Sequence, residues 1–107
     1  MFKIDRNPVM TFPVDIHVPG QDAPETMRIA AKAMSFTDLD AHDVSTREAT
    51  TEFLRFVIVD LLDVVEEDGT PLDYTTALRD ELLDLPWVRS PIVRAYFNAL
   101  NASHAGN

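Results

Sequence analysis

The sequence predicts an α+β fold, mostly α-helical, in which an N-terminal β-hairpin is followed by a small helical domain of three to four helices. Two observations carry this expectation. Residues 11–18 alternate strictly, with Phe12, Val14, Ile16 and Val18 on one side and Thr11, Asp15 and His17 on the other, the period of a half-buried strand. From Ser45 onward the apolar residues recur instead at helical spacing. At 107 residues the chain has the length of one domain with one core, divided into an irregular lead-in (1–10), a β-hairpin (11–34), a helical part (35–101) and a frayed tail (102–107).

In chain order, Asn7-Pro8 marks a turn in the lead-in. Pro13 lacks an N–H donor, so the first strand should lie at a sheet edge or begin its pairing after Pro13. Pro19-Gly20-Gln21-Asp22-Ala23-Pro24 reads as the connection. A second strand over 26–33 sets Met27, Ile29 and Ala31 against Arg28, Ala30 and Lys32, with helix as the alternative because of its alanines. Ser35-Phe36-Thr37-Asp38-Leu39 can start a short helical turn. Ser45-Thr46-Arg47-Glu48 fits a capping box. It opens an expected helix of about twenty residues, about 30 Å long, with Phe53, Leu54, Val57, Ile58, Leu61, Leu62 and Val65 as its apolar stripe. The β-branched run Val57-Ile58-Val59 opposes helix by a few tenths of a kcal/mol per residue, roughly, and periodicity outweighs it. Asp68-Gly69 stops that helix. Thr75 or Thr76 caps the next, which buries Leu78 and Leu82; Leu85-Pro86-Trp87 breaks it, and Ser90-Pro91 starts the last, with Ile92, Val93, Tyr96, Phe97 and Leu100 on one side.

The net charge of −9 is concentrated. Residues 60–84 hold nine acids against Arg79 alone, a local balance of −8, while the rest of the chain holds nine acids and eight bases. Such a field repels phosphate, which argues against nucleic acid and anionic membrane as partners and favours encounter with a basic protein; a solvating role for the same acids is the plain alternative. The longest apolar window, 53–65, is interrupted by Arg55, Asp60 and Asp63 and is too short and charged to span a bilayer. No signal peptide is apparent. The absence of cysteine excludes disulfides, thiol catalysis and cysteine zinc sites.

Searching for chemistry yields little. His17, His42 and His104 lie in three unrelated settings, without an H-E-x-x-H context. Asp38-Leu39-Asp40-Ala41-His42-Asp43 gathers donor groups that could hold a divalent ion weakly, but a solvated, helix-capping loop is the better account, because a metal site needs convergent, supported ligands. A calcium loop through Glu66, Asp68 and Gly69 fails, because its first and twelfth positions would be Val64 and Thr75. With three glycines and no phosphate-binding or nucleophile-elbow motif, the expectation is a protein that is not an enzyme and carries no cofactor or metal. Trp87, Val88, Tyr96, Phe97 and Leu100, with the acidic Glu66, Glu67 and Asp68, are the candidate protein-binding residues. Aromatic anchors dominate interface energetics, but Tyr96 and Phe97 sit at core spacing and read better as core between the last helix and the long one, whereas Trp87, in a linker, fits either role.

The order of several short motifs resembles the small tail assembly chaperones of long-tailed bacteriophages and prophages. They are Met1-Phe2-Lys3-Ile4-Asp5 with Asn7-Pro8; Thr11-Phe12-Pro13-Val14-Asp15-Ile16-His17-Val18-Pro19-Gly20; Asp68-Gly69-Thr70-Pro71-Leu72 with Tyr74-Thr75; Leu82-Leu83-Asp84-Leu85-Pro86-Trp87-Val88; and Ala95-Tyr96-Phe97-Asn98-Ala99-Leu100. One departure is that residues 59–65 carry no Trp, which the family usually places before the acidic turn. The resemblance implies a non-enzymatic protein of the host cytoplasm, absent from the mature virion. Such a protein solubilises the tape measure protein and helps deliver tail tube protein, in many phages through a frameshifted longer product, and it can self-associate. The alternative is a small acidic adaptor or antitoxin-like protein that neutralises a basic partner.

Overall fold

The computed structural model describes residues 1–42 and 44–101; the expected frayed tail, with His104, lies outside them, as does Asp43. The order of elements is β1 (Val9–Ile16), β2 (Glu25–Lys32), α1 (Phe36–Asp40), α2 (Arg47–Val57), β3 (Ile58–Leu62), α3 (Thr76–Leu83) and α4 (Pro86–Asn101). The three strands form one antiparallel sheet in the order β1-β2-β3. The fold is therefore α+β, as expected, but the sheet has a strand more than the hairpin and the fold is less dominated by helix.

The hairpin follows from the alternation. Register pairs Phe12 with Ile29 and Val14 with Met27, so the apolar residues of both strands share one buried face, while Pro13, Asp15 and Arg28 face the other way. Pro13 stands on the edge strand, where its missing N–H costs no ladder bond. The first strand begins at Val9, two residues earlier than the alternation suggests, and Ala33 N–H donates to the Pro8 carbonyl at 2.9 Å.

The long helix expected over 45–65 is the main correction. It starts one residue later than the capping box implies, with Thr46 as N-cap accepting from Ala49 N–H at 3.1 Å, and it ends at Val57. Ile58 turns to an extended conformation (φ −74°, ψ 126°), and the β-branched pair Ile58-Val59 enters β3. The misleading signal has a physical cause. The register shifts between Ala30, paired with Asp60, and Ala31, paired with Ile58, so Val59 is an extra, bulged residue. In a regular strand Ile58 and Leu61 would face opposite sides; the bulge turns both inward, where they are 5% and 4% exposed. An i, i+3 apolar spacing was thus produced by a bulged strand and imitates helical periodicity.

Asp68-Gly69 consequently ends no helix; it forms the tip of a narrow turn closed by the bridge between Val65 and Pro71. Thr75 is the cap of α3, accepting from Leu78 N–H at 2.9 Å. The last helix starts not at Ser90-Pro91 but at Pro86, whose absent N–H belongs to the unpaired first turn anyway. Pro91 lies inside that helix and deprives only the Trp87 carbonyl of a helical donor, on a residue already partly in solvent.

The core lies between the inner sheet face and helices α2 and α4. Phe53, Leu54 and Val57 reach it from α2, and Val88, Ile92 and Tyr96 from α4. Tyr96 is held edge-on by Phe12 and Phe53, with centroids 6.4 and 5.4 Å away, and its hydroxyl donates to the Lys32 carbonyl at 2.8 Å. Arg89 ties the helices together: Nε donates to the Leu83 carbonyl at 3.1 Å, Nη1 to the Arg47 carbonyl at 3.0 Å, and Nη2 to the Thr51 hydroxyl.

Candidate functional site

At the turn end of the β1/β2 hairpin the core is not closed over. A groove of about 240 Å³ opens there between the sheet and the α3/α4 joint. Its floor is Ile16, Met27 and Val88; Val18, Val64, Leu82 and Leu85 form the walls, and Val65 and Trp87 stand at the rim, 53% and 37% exposed. Glu25 and Asp63 supply its carboxylates.

Each wall is held by local structure. Asp63 ends β3 in the left-handed region at φ 67°, which Asp tolerates better than most residues, and the turn directs Val64 and Val65 toward the α3/α4 joint. Arg28 on the outer face of β2 fixes the bend through a two-pronged ion pair, Nε to Oδ2 at 2.6 Å and Nη2 to Oδ1 at 3.1 Å. The hydrogen bond from Arg28, more than its charge, holds the Asp63 carboxyl below the usual carboxylate range. On the other side, Leu85 N–H donates to the Leu82 carbonyl at 3.1 Å and Val88 N–H to Leu85 at 3.0 Å. This tight joint sets Leu82, Leu85 and Trp87 along one wall.

The acidic turn follows directly from the Val65 rim. Glu66 N–H donates to the Thr70 carbonyl at 2.8 Å, and Gly69, at φ 89°, donates back to the Glu66 carbonyl at 2.9 Å, a conformation that glycine adopts without strain. The Asp68 Oδ1 accepts from the Thr70 hydroxyl at 2.6 Å and from its N–H at 2.9 Å; the hydroxyl bond is the larger cause of its lowered pKa. Asp68 thus shapes the turn, whereas Glu66 and Glu67 are exposed on it.

The candidate protein-binding residues are divided by this geometry. Trp87 and Val88 line the groove, and Glu66, Glu67 and Asp68 extend from its rim. Trp87 belongs to the first turn of α4 rather than to a linker. Tyr96, Phe97 and Leu100 lie two to four turns further along α4. Tyr96 is 1% exposed, Phe97 is stacked on Phe53 at 5.9 Å and 3°, and Leu100 packs against the same core. Val88, though a groove residue, is 5% exposed and forms floor rather than rim. Ile16, Val18, Met27 and Leu82 read in the sequence as ordinary core, Leu85 as part of a helix break and Val64 only as a failed calcium-loop position; the signal that assembles them is tertiary.

Elsewhere, the His42 ring packs against Phe53 and Phe56, with centroids 5.4 and 5.1 Å away, and its backbone N–H donates to the Leu39 carbonyl at 3.0 Å. Among the described residues no three His, Asp or Glu side chains converge to hold a metal ion, and no helix is long and apolar enough to cross a membrane. No protein-family model, curated protein or solved structure matches the chain.

Proposed function

We propose that this chain is a tail assembly chaperone of a long-tailed bacteriophage or prophage, acting in the host cytoplasm without enzymatic chemistry and without a cofactor. Its client would be the tape measure protein, kept soluble until tail tube protein polymerises around it. The motif order from Met1-Phe2-Lys3-Ile4-Asp5 to Ala95-Tyr96-Phe97-Asn98-Ala99-Leu100 supports the family reading. The observation that carries the mechanism is the open apolar groove between Val65 and Trp87 beside an exposed acidic turn.

An amphipathic client helix would place apolar side chains in this groove, and the acids of residues 66–68 would keep the complex hydrated and repel a second acidic rim. Tape measure protein is long and exposes apolar helical faces before the tube encloses it, so covering those faces in short sections is the task to be done. Co-expression with the tape measure protein of the same phage tests the reading: the client should move from the insoluble to the soluble fraction, and a client equally insoluble with and without the chaperone would overturn it. The local charge of residues 60–84 favours a second reading, an acidic adaptor or antitoxin-like protein for one basic partner. That reading requires binding that collapses with added salt, whereas burial of apolar side chains in the groove should survive it.

A further inference from the structure

The first six residues and the groove complement each other, but not within one molecule. Phe2 and Ile4 are 85% and 57% exposed. The segment is joined to the fold at its base, where the Pro8 carbonyl accepts from Ala33 at 2.9 Å, and Asn7 N–H donates locally to Asp5 at 3.0 Å. Lys3 and Arg6 outweigh Asp5 and give the segment a positive balance. The groove offers the opposite chemistry: apolar walls between Val65 and Trp87, a carboxylate at Glu25, and the acids 66–68 leading from its rim.

Reach decides between docking in the same molecule and docking in another. The segment joins the sheet at Val9, whereas the groove lies at the Ile16/Glu25 end. These ends are separated by seven strand steps, about 23 Å, and the groove wall after β3 is two strand spacings, about 10 Å, to the side. Ile4 is five residues from Val9 and can extend at most about 18 Å. Phe2 could approach its own groove only with every intervening residue straightened, which the Asp5 bond to Asn7 opposes. A second copy has no such restriction.

We propose that residues 1–6 of one copy dock into the groove of a second, with Phe2 and Ile4 as apolar anchors and Lys3 and Arg6 facing the acidic rim. A two-fold pair would exchange two such arms reciprocally, each copy donating its arm and receiving its partner's. The occupied groove is then closed to any other ligand. This inference does not depend on the client's identity, because its test contains only this chain.

Sedimentation velocity of the full chain from about 5 to about 500 μM should show a concentration-dependent monomer–dimer equilibrium, in the weak range expected of a small interface. Phe2→Asp with Ile4→Asp removes two anchors from each of two arms and should abolish it over this range, since each buried large apolar side chain is worth about ten- to a hundredfold, with an unchanged melting curve because neither residue packs in the monomer. Trp87→Glu should weaken it comparably. Mixing the two variants should restore a heterodimer held by one arm and one groove, and a peptide of residues 1–8 should shift the Trp87 indole NMR resonance of the arm variant. A chain that stays monomeric throughout, a dimer indifferent to Phe2→Asp with Ile4→Asp, or variants that fail to complement on mixing would each overturn the proposal.

Discussion

Tyr96→Phe isolates a single contact that spans the fold. The Tyr96 ring is 1% exposed, wedged between Phe12 of β1 and Phe53 of α2, and its hydroxyl donates to the Lys32 carbonyl at the end of β2, 64 residues away. The substitution keeps the ring and its edge-on contacts, so no large cavity follows. It removes one hydrogen bond at a buried site, which is worth about 1–2 kcal/mol. For a domain of this size that corresponds to a fall in Tm of about 4–15 °C. Thermal unfolding followed by circular dichroism at neutral pH measures it directly. The alkaline limb gives a second readout. Burial pushes the Tyr96 phenol above its ordinary range, so the folded state favours the neutral form. The resulting stability is fully present below the unfolded value of about 10 and is lost as pH rises toward and through the folded pKa. The wild type should therefore lose stability above about pH 10 more steeply than Tyr96→Phe. A variant with an unaltered Tm and an unaltered alkaline limb would mean that the hydroxyl makes no such bond, and that α4 does not dock over the sheet as described.

Three other outcomes test separate parts of the structure. Arg89→Lys keeps the charge but loses the fork that reaches the Leu83 and Arg47 carbonyls and the Thr51 hydroxyl, so chemical denaturation should show a loss of about 1–3 kcal/mol; a loss close to zero would show that the charge alone suffices. Asp63→Ala removes the Arg28 pair and places an alanine at φ 67°. It should destabilise the fold, whereas Asp63→Gly, free of that strain, should cost measurably less; equal losses would remove the backbone from the explanation. On the proposed function, Trp87→Ala should weaken capture of a tape measure client by about tenfold or more in a pull-down titration while lowering Tm only modestly. The reverse ranking would make Trp87 a stabilising residue rather than a binding one.

The parts of the fold that were legible in the sequence are those where one face alone is buried. Residues 12–16 announce a strand because every second side chain meets the core and the others meet water; the alternation carries on to Val18, but the strand stops at Ile16. The Thr75-Thr76 pair announces a helix start because one hydroxyl can satisfy a local N–H, and the structure assigns that cap to Thr75. β3 was illegible for the opposite reason. Its apolar spacing reflects a bulge at Val59, and a bulge is set by pairing with Ala30 and Ala31, about thirty residues earlier. No local window contains that information. The β-branched Ile58-Val59 pair was the one local hint, and its intrinsic preference is small beside the periodicity it opposed.

The groove shows the same division at the level of the site. Trp87 and the acids 66–68 were visible as an aromatic near a proline and a run of charge, but what makes them a surface is the bend at Asp63. Had the helix continued to Val65, that side chain would have completed a buried stripe, and the turn of residues 66–70 would have stood at a helix end. Because β3 ends at Leu62 and Arg28 holds Asp63 in a left-handed turn, Val65 is carried to the edge of the sheet, 53% exposed and across the groove from Trp87. The cost of leaving two large apolar groups partly in water is borne by a fold with only one small core, and residues 1–6 add two more such groups. A small domain gains stability by covering them, so apolar exposure at both the groove and the arm is expected to persist only where another chain, or another copy, removes it from water.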